Sequence, residues 1–140
     1  SAKDTVLTYY ESILDNLGCC HNFDVYGHLD YIARYIPANS YTYNWHDFND
    51  LICLILKTII EQGKGIEINT LKYGMPEPNP CLDIVKMYHD LGGEIITVGS
   101  DAHEVKFFAY RFDVVADILK NAGFNYYTIF NKRKPEFIRL

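Results

Sequence analysis

The stretch Glu94-Ile95-Ile96-Thr97-Val98, followed directly by Gly99-Ser100-Asp101-Ala102-His103, carries the clearest structural signal in the chain. Its first half is apolar and β-branched and comes after Gly92-Gly93, which predicts a short buried strand. Asp101 and His103 then lie just beyond the carboxyl end of that strand. Side chains two residues apart can converge on one point there, and ligands bind at this end of the strands in α/β folds.

Asp101 and His103 allow two interpretations. A carboxylate and an imidazole are both good ligands for Zn, Mn or Fe, so the pair is a candidate for part of a metal site. An Asp after a strand is also a common helix N-cap, and Asp-x-His alone is a weak pattern. Both interpretations stay open on this stretch alone.

Length and composition indicate one domain with a real core. The chain has 140 residues, 49% of them hydrophobic, and a net charge of -5, so neither a broad basic face nor a nucleic-acid partner is expected. No apolar span is long enough to cross a membrane. The four cysteines show no metal-finger spacing and indicate free thiols in a reducing cytoplasm.

Helical and strand patterns alternate along the chain. Helices are predicted at 4–17, 45–62, 79–91 and 111–122, and strands at 23–27, 66–70, 94–98 and 126–130, with 131–140 as a tail or short turn. Asn79-Pro80 is predicted to begin the third helix, with Asn79 as its N-cap. This βαβ order predicts parallel strands, but a closed (β/α) barrel usually takes about 250 residues, roughly twice this length.

Polar side chains follow three successive predicted strands: His28 and Asp30, Glu67 and Asn69, and Asp101 and His103. Because parallel strands bring their exits together, we expect His28, Asp101 and His103 to meet closely enough to form part of a transition-metal site. Each also has a structural alternative, such as a hydrogen-bonded histidine or an asparagine that caps a turn.

The motifs at these exits resemble a known family. Phe23-Asp24-Val25-Tyr26-Gly27-His28-Leu29-Asp30-Tyr31-Ile32, with Arg34-Tyr35 after it, resembles the Gly-His-Leu-Asp segment of histidinol-phosphatases. These belong to the PHP (polymerase and histidinol phosphatase) superfamily. Ile66-Glu67-Ile68-Asn69-Thr70 is similar to the family's Glu-Ile-Asn-Thr strand, and Ile96-Thr97-Val98-Gly99-Ser100-Asp101-Ala102-His103 is similar to its Gly-Ser-Asp-Ala-His motif.

The resemblance implies a distorted (β/α)7 TIM-like barrel that hydrolyses phosphate monoesters, typically histidinol phosphate in histidine biosynthesis. It also implies up to three divalent transition metals, Zn, Mn or Fe. The family begins with a His-x-His motif that this chain lacks. Residues 1–140 are therefore expected to form a single partial PHP domain, the C-terminal portion of the barrel, with little or no turnover alone.

The resemblance also implies roles for individual residues. His28, Asp101 and His103 are implied metal ligands, and Asp101 and His103 are implied catalytic residues. Arg34, Asn69 and Lys72 are candidates for binding the substrate phosphate, Arg34 because it offers a bidentate fork. Asp30 is expected to hold the His28 ring, and Asp30 and Glu67 are expected to support the ligands from behind.

Two other functions remain open from the sequence. One is a non-catalytic half-barrel that acts by association, with itself or with the missing N-terminal half, which bare strand edges and an aromatic content of 15% favour. The other is a PHP-type nuclease, which the net charge of -5 disfavours.

Overall fold

The computed structural model describes residues 1–37, 39–70 and 77–140. The α-helices are α1 (Ala2–Cys19), α2 (Asn49–Glu61), α3 (Leu82–Asp90) and α4 (Phe112–Ala122). The strands are β1 (Val25–Tyr26), β2 (Gly65–Asn69), β3 (Ile96–Gly99), β4 (Tyr126–Asn131) and β5 (Lys134–Arg139). Short 3-10 helices cover Tyr31–Tyr35, Trp45–Phe48 and Val105–Phe107. In the described part of the chain, no helix is long and apolar enough to cross a membrane.

Strands β1, β2 and β3 form a parallel sheet in that order, which confirms the predicted parallel arrangement for the first three strands. Ile66 in β2 lies opposite Tyr26 in β1 and Ile96 in β3. Helix α2 lies between β1 and β2 in the chain, and α3 lies between β2 and β3. The three strands therefore end at one edge of the sheet, which we call the strand-exit edge.

The core is built from the apolar faces of the helices and the central strand. Helix α1 buries one side at helical spacing, and α2 buries a wider arc because its middle is almost entirely apolar. Each fully buried aliphatic side chain contributes about 1.5–3 kcal/mol. The buried residues of these two helices are Val6, Tyr10, Ile13, Leu17, Ile52, Ile55, Leu56 and Ile59.

The prediction of a fourth parallel strand followed by a tail is wrong. β4 pairs antiparallel with β5 in a separate two-stranded sheet, and it meets β3 where Ile96 N–H donates to Thr128 Oγ1. The reason lies in the connection, since Lys132 and Arg133 both have positive φ, 49° and 64°. A two-residue turn of that kind matches the twist of a hairpin and reverses the chain.

The prediction that Asn79 caps the third helix is also wrong. Helix α3 begins at Leu82 after Cys81, and the Asn79 backbone pairs instead with Asn69, through N–H···O bonds of 2.8 and 3.0 Å. The Asn79 side chain is taken up by Arg34 and Asp30. These contacts join residues far apart in the chain, so local capping statistics do not reveal them.

Candidate active site

The residues that follow the three parallel strands lie along the strand-exit edge. Asn69 ends β2 opposite Gly99, which ends β3, and the His28 N–H donates to Glu67 Oε2 at 3.3 Å. His28 and Asp101 both have positive φ, 27° and 48°. Such backbone conformations are costly for residues other than glycine and cluster at functional sites, where the surroundings enforce them.

Asp101 lies between His103 and Arg34. Its Oδ1 is 3.2 Å from His103 Nε2, and its Oδ2 is 3.6 Å from Arg34 Nη1. The side chains of His103 and Asp101 are 81% and 30% exposed, whereas that of Arg34 is 6% exposed. The carboxylate therefore joins a solvent-facing imidazole to a buried guanidinium.

Arg34 is anchored through its Nε, whereas its terminal nitrogens make no hydrogen bond within the described part of the chain. Its Nε donates to Asn79 Oδ1 at 2.9 Å, and its Cζ lies 5.0 Å from the centre of the Tyr31 ring. Nη1 and Nη2 are buried and have no hydrogen-bond partner among residues 1–37, 39–70 and 77–140. Buried donors are usually paired because an unpaired one costs the full desolvation penalty. A planar pair of guanidinium donors without hydrogen bonds suits an oxyanion such as phosphate.

Asn69 is a second buried group without partners. The residue is 1% exposed, and in the part of the chain that the structure describes neither Oδ1 nor Nδ2 has a hydrogen-bond partner. It shares its neighbour Asn79 with Arg34, through the backbone in one case and the side chain in the other. Asn79 therefore contacts both Arg34 and Asn69 at the strand-exit edge. Each of these two buried side chains carries polar atoms that make no hydrogen bond with the described residues.

Asp30 supports this cluster and not the His28 ring. Asn79 Nδ2 donates to Asp30 Oδ1 at 2.9 Å, while the His28 ring stacks on Tyr31 with centroids 4.4 Å apart. The predicted contact between Asp30 and the His28 ring is not found among the described residues, where the Asp30 carboxylate bonds Asn79 and the His28 ring stacks on Tyr31. Burial raises the pKa of Asp30 to about 6, against the opposing effects of the Asn79 hydrogen bond and the Arg34 charge.

The predicted metal ligands are only partly brought together. Asp101 and His103 are in contact, but within residues 1–37, 39–70 and 77–140 no group of three or more His, Cys, Asp or Glu side chains is arranged to hold a metal ion. The predicted meeting of His28 with both of them is therefore not found. Lys72 lies outside the described residues. An N,O pair such as Asp101 and His103 suits part of a transition-metal site.

Two residues of the site were not predicted as such. Asn79 ties Arg34 to Asp30, and Tyr31 lies against both His28 and Arg34. The spacing of three residues between Tyr31 and Arg34 is a sequence signal for their contact, since residues three apart on a helix are neighbours. Nothing local marks Asn79.

Comparison with known proteins places this site in context. No family model matches the chain. It is 40% identical over 114 residues to a probable histidinol-phosphatase of Thermotoga maritima, which covers 79% of this chain and 46% of that protein. It is also 29% identical over 127 residues to the histidinol-phosphatase of Lactococcus lactis, which covers 90% and 47%. The chain is a relative of the histidinol-phosphatases.

A solved structure agrees with this relationship. The crystal structure of histidinol phosphate phosphatase from Lactococcus lactis, complexed with zinc, L-histidinol and phosphate, superposes with a TM-score of 0.80 at 25% identity. The match covers 97% of the chain described here and 52% of the Lactococcus chain. The chain thus spans about half the length of the proteins it matches.

Proposed function

We propose that this chain is the C-terminal half of a metal-dependent phosphomonoesterase that converts histidinol phosphate to histidinol. The observation that carries the proposal is the buried Arg34 guanidinium, which lies 3.6 Å from Asp101 and whose two terminal nitrogens make no hydrogen bond with the described residues. The Lactococcus relative, which binds zinc, histidinol and phosphate, supports the same substrate and metal class.

Each group has a defined task in this proposal. Arg34 grips two phosphate oxygens and stabilises the charge that they carry during transfer. Asn69 adds an amide beside it. Asp101 and His103 would hold a divalent metal, Zn, Mn or Fe, and His28 would supply a further imidazole to the cluster that the other half completes. The metal supplies hydroxide near neutral pH when it is bound. The remaining ligands come from the half of the relatives that this chain does not span.

An apolar groove is the surface on which that other half is proposed to dock. The groove has a volume of about 410 Å³ and lies between β3, α4 and β4. Its apolar walls include Phe112 and Ile129, which are 41% and 43% exposed. Because the relatives are about twice as long, their remaining chain is the natural cover for this groove. The other lining residues are Val98, Val115, Ala116, Tyr127, Thr128 and Leu140.

Phosphate release from histidinol phosphate tests the function. We expect little or no release by residues 1–140 alone, and chelator-sensitive release by a full-length protein that carries them. Arg34→Lys in the full-length protein should lower kcat/KM by about 100-fold, because Lys keeps the charge but loses the fork. Arg139→Lys, at an exposed position of β5, is the control. A full-length protein that is inactive with Zn, Mn and Fe would contradict the proposal.

A non-catalytic half-barrel that acts by association is the second candidate. It is favoured by the lack of a three-ligand group among the described residues. Light scattering and metal analysis separate the two candidates. A chain that forms stable dimers, with a full-length protein that neither binds metal nor releases phosphate, would favour association.

A further inference from the structure

The side chain of Glu67 lies across the strand-exit edge and touches both neighbouring strand ends. Its Oε2 accepts the His28 N–H at 3.3 Å on the β1 side. On the β3 side, a Cβ built on Gly99 would lie 2.1 Å from Glu67 Oε1 and 3.0 Å from its Cδ. A single carboxylate in the central strand therefore contacts the backbone that leads into His28 and the backbone that leads into Asp101.

The absence of a side chain at position 99 is explained by this contact. Gly99 is the last residue of β3 and is not among the glycines with positive φ, so its backbone does not require glycine. A Cβ there would overlap the carboxylate at a distance that real Cβ atoms do not show. On the β1 side, a Cβ on Gly27 would lie 3.4 Å from Oε2, which is ordinary contact. Gly99 therefore leaves room for the Glu67 carboxylate in its present conformation, and a side chain at position 99 would require that flexible carboxylate to move.

The two strand ends that Glu67 touches each carry a strained residue. His28 and Asp101 have φ values of 27° and 48° and leave β1 and β3 beside the carboxylate. Strained conformations persist only where several contacts enforce them. Glu67 supplies one such contact to each end, directly to the His28 N–H and by close packing against Gly99.

We propose that Glu67 is a positioning residue that sets the separation and direction of the His28 and Asp101 backbones. The inference rests on the proposed function, in which these two residues belong to the metal site. Glu67 touches neither substrate nor metal in this role. Its shape and its acceptor atom do the positioning, so glutamine should replace it well and alanine should not.

A double-mutant cycle tests the fit between Glu67 and Gly99. We expect Gly99→Ala to lower the urea midpoint of the chain, and to lower it much less in the Glu67→Ala background, because the truncated side chain leaves room for the new methyl group. Gly18→Ala is the matched control, since nothing lies within 4 Å of a Cβ at that position. An equal loss from Gly99→Ala in both backgrounds would overturn the proposal.

Two further measurements separate positioning from simple structural support. In the ¹H–¹⁵N spectrum of the chain, the His28 amide proton should move upfield in Glu67→Ala and keep its shift in Glu67→Gln. In the full-length protein, competition with a chromophoric chelator should show zinc affinity about 10- to 100-fold weaker for Glu67→Ala, with Glu67→Gln close to the parent. Glu11→Ala, on the exposed face of α1, is the control for removal of a glutamate.

Each result decides the role. An unchanged His28 amide in Glu67→Ala, or a zinc affinity in Glu67→Gln as weak as in Glu67→Ala, would overturn it; the second result would mean that the charge matters and the contact does not. The amide shift and the double-mutant cycle need neither substrate nor turnover. An inactive full-length protein would therefore refute the proposed function while these two measurements still decide the role of Glu67.

Discussion

Replacement of Arg34 by Met should stabilise the fold and remove its response to phosphate. The Arg34 side chain is 6% exposed, and two of its nitrogens are buried without partners. Methionine fills a similar volume and needs no hydrogen bonds. If the guanidinium serves to bind a ligand and does not stabilise the fold, its removal should raise the free energy of unfolding and weaken phosphate binding.

The magnitude follows from the contacts of Arg34. A buried ion carries an effective desolvation penalty of several kcal/mol, of which the partly exposed Asp101 at 3.6 Å offsets about 1 kcal/mol. The hydrogen bond to Asn79 and the Tyr31 ring offset about 1–3 kcal/mol more. We therefore expect Arg34→Met to raise the free energy of unfolding by about 1–2 kcal/mol, or the melting temperature by about 3–7 °C.

Urea unfolding of the chain, followed by circular dichroism with and without inorganic phosphate, measures both effects. Phosphate should raise the midpoint of the parent chain, because a ligand that binds only the folded state stabilises it, and should leave Arg34→Met unchanged. Arg139→Met is the control and should stay within about 0.5 kcal/mol of the parent. An Arg34→Met chain that is less stable than the parent yet still responds to phosphate would refute the reasoning.

Three further predictions concern the metal site, the sheet and the thiols. In the full-length protein, Asp101→Asn should lower zinc affinity by at least about 10-fold, because the amide is a poorer ligand than the carboxylate. Isothermal titration of zinc into the parent and the variant, each first dialysed against chelator, measures the two affinities. Gly65→Ala should destabilise the chain by about 1–3 kcal/mol in urea unfolding, since its Cβ would lie 2.4 Å from Ile95 O. Burial raises the pKa of Cys81 to about 11, so at pH 8 its thiol should react with Ellman's reagent far more slowly than the exposed Cys19.

The local signals in the sequence predicted the central part of the fold well. The apolar, β-branched runs around Ile66 and Ile96 form neighbouring parallel strands, and the segment with the helical spacing of apolar residues forms the buried helix α2. The predicted helix over 111–122 ends at Gly123, which takes the left-handed conformation common at helix ends. These features depend on residues close together in the chain, so periodicity and capping preferences report them directly.

The β4–β5 hairpin and the cluster of Arg34, Asp30 and Asn79 were not predicted from the sequence, and both for the same physical reason. β4 turns back because Lys132 and Arg133 both adopt positive φ, although neither is a residue typical of such turns. Asn79 does not cap a helix, because its side chain hydrogen-bonds to Arg34 and Asp30, which are 45 and 49 residues away in the chain. In each case the conformation differs from the local preference, and local preference was all that the sequence patterns reported.

The sequence by itself determined the alternation of strands and helices, the likeness to histidinol-phosphatases, and the residues at the strand exits. Only the tertiary structure decided which of those residues meet. It pairs Asp101 with His103 and Arg34, places Asp30 on Asn79, and fits Glu67 against Gly99. The physical reason is that the spacing along one strand sets which face a side chain is on, whereas contacts between strands depend on how the whole sheet and its loops pack.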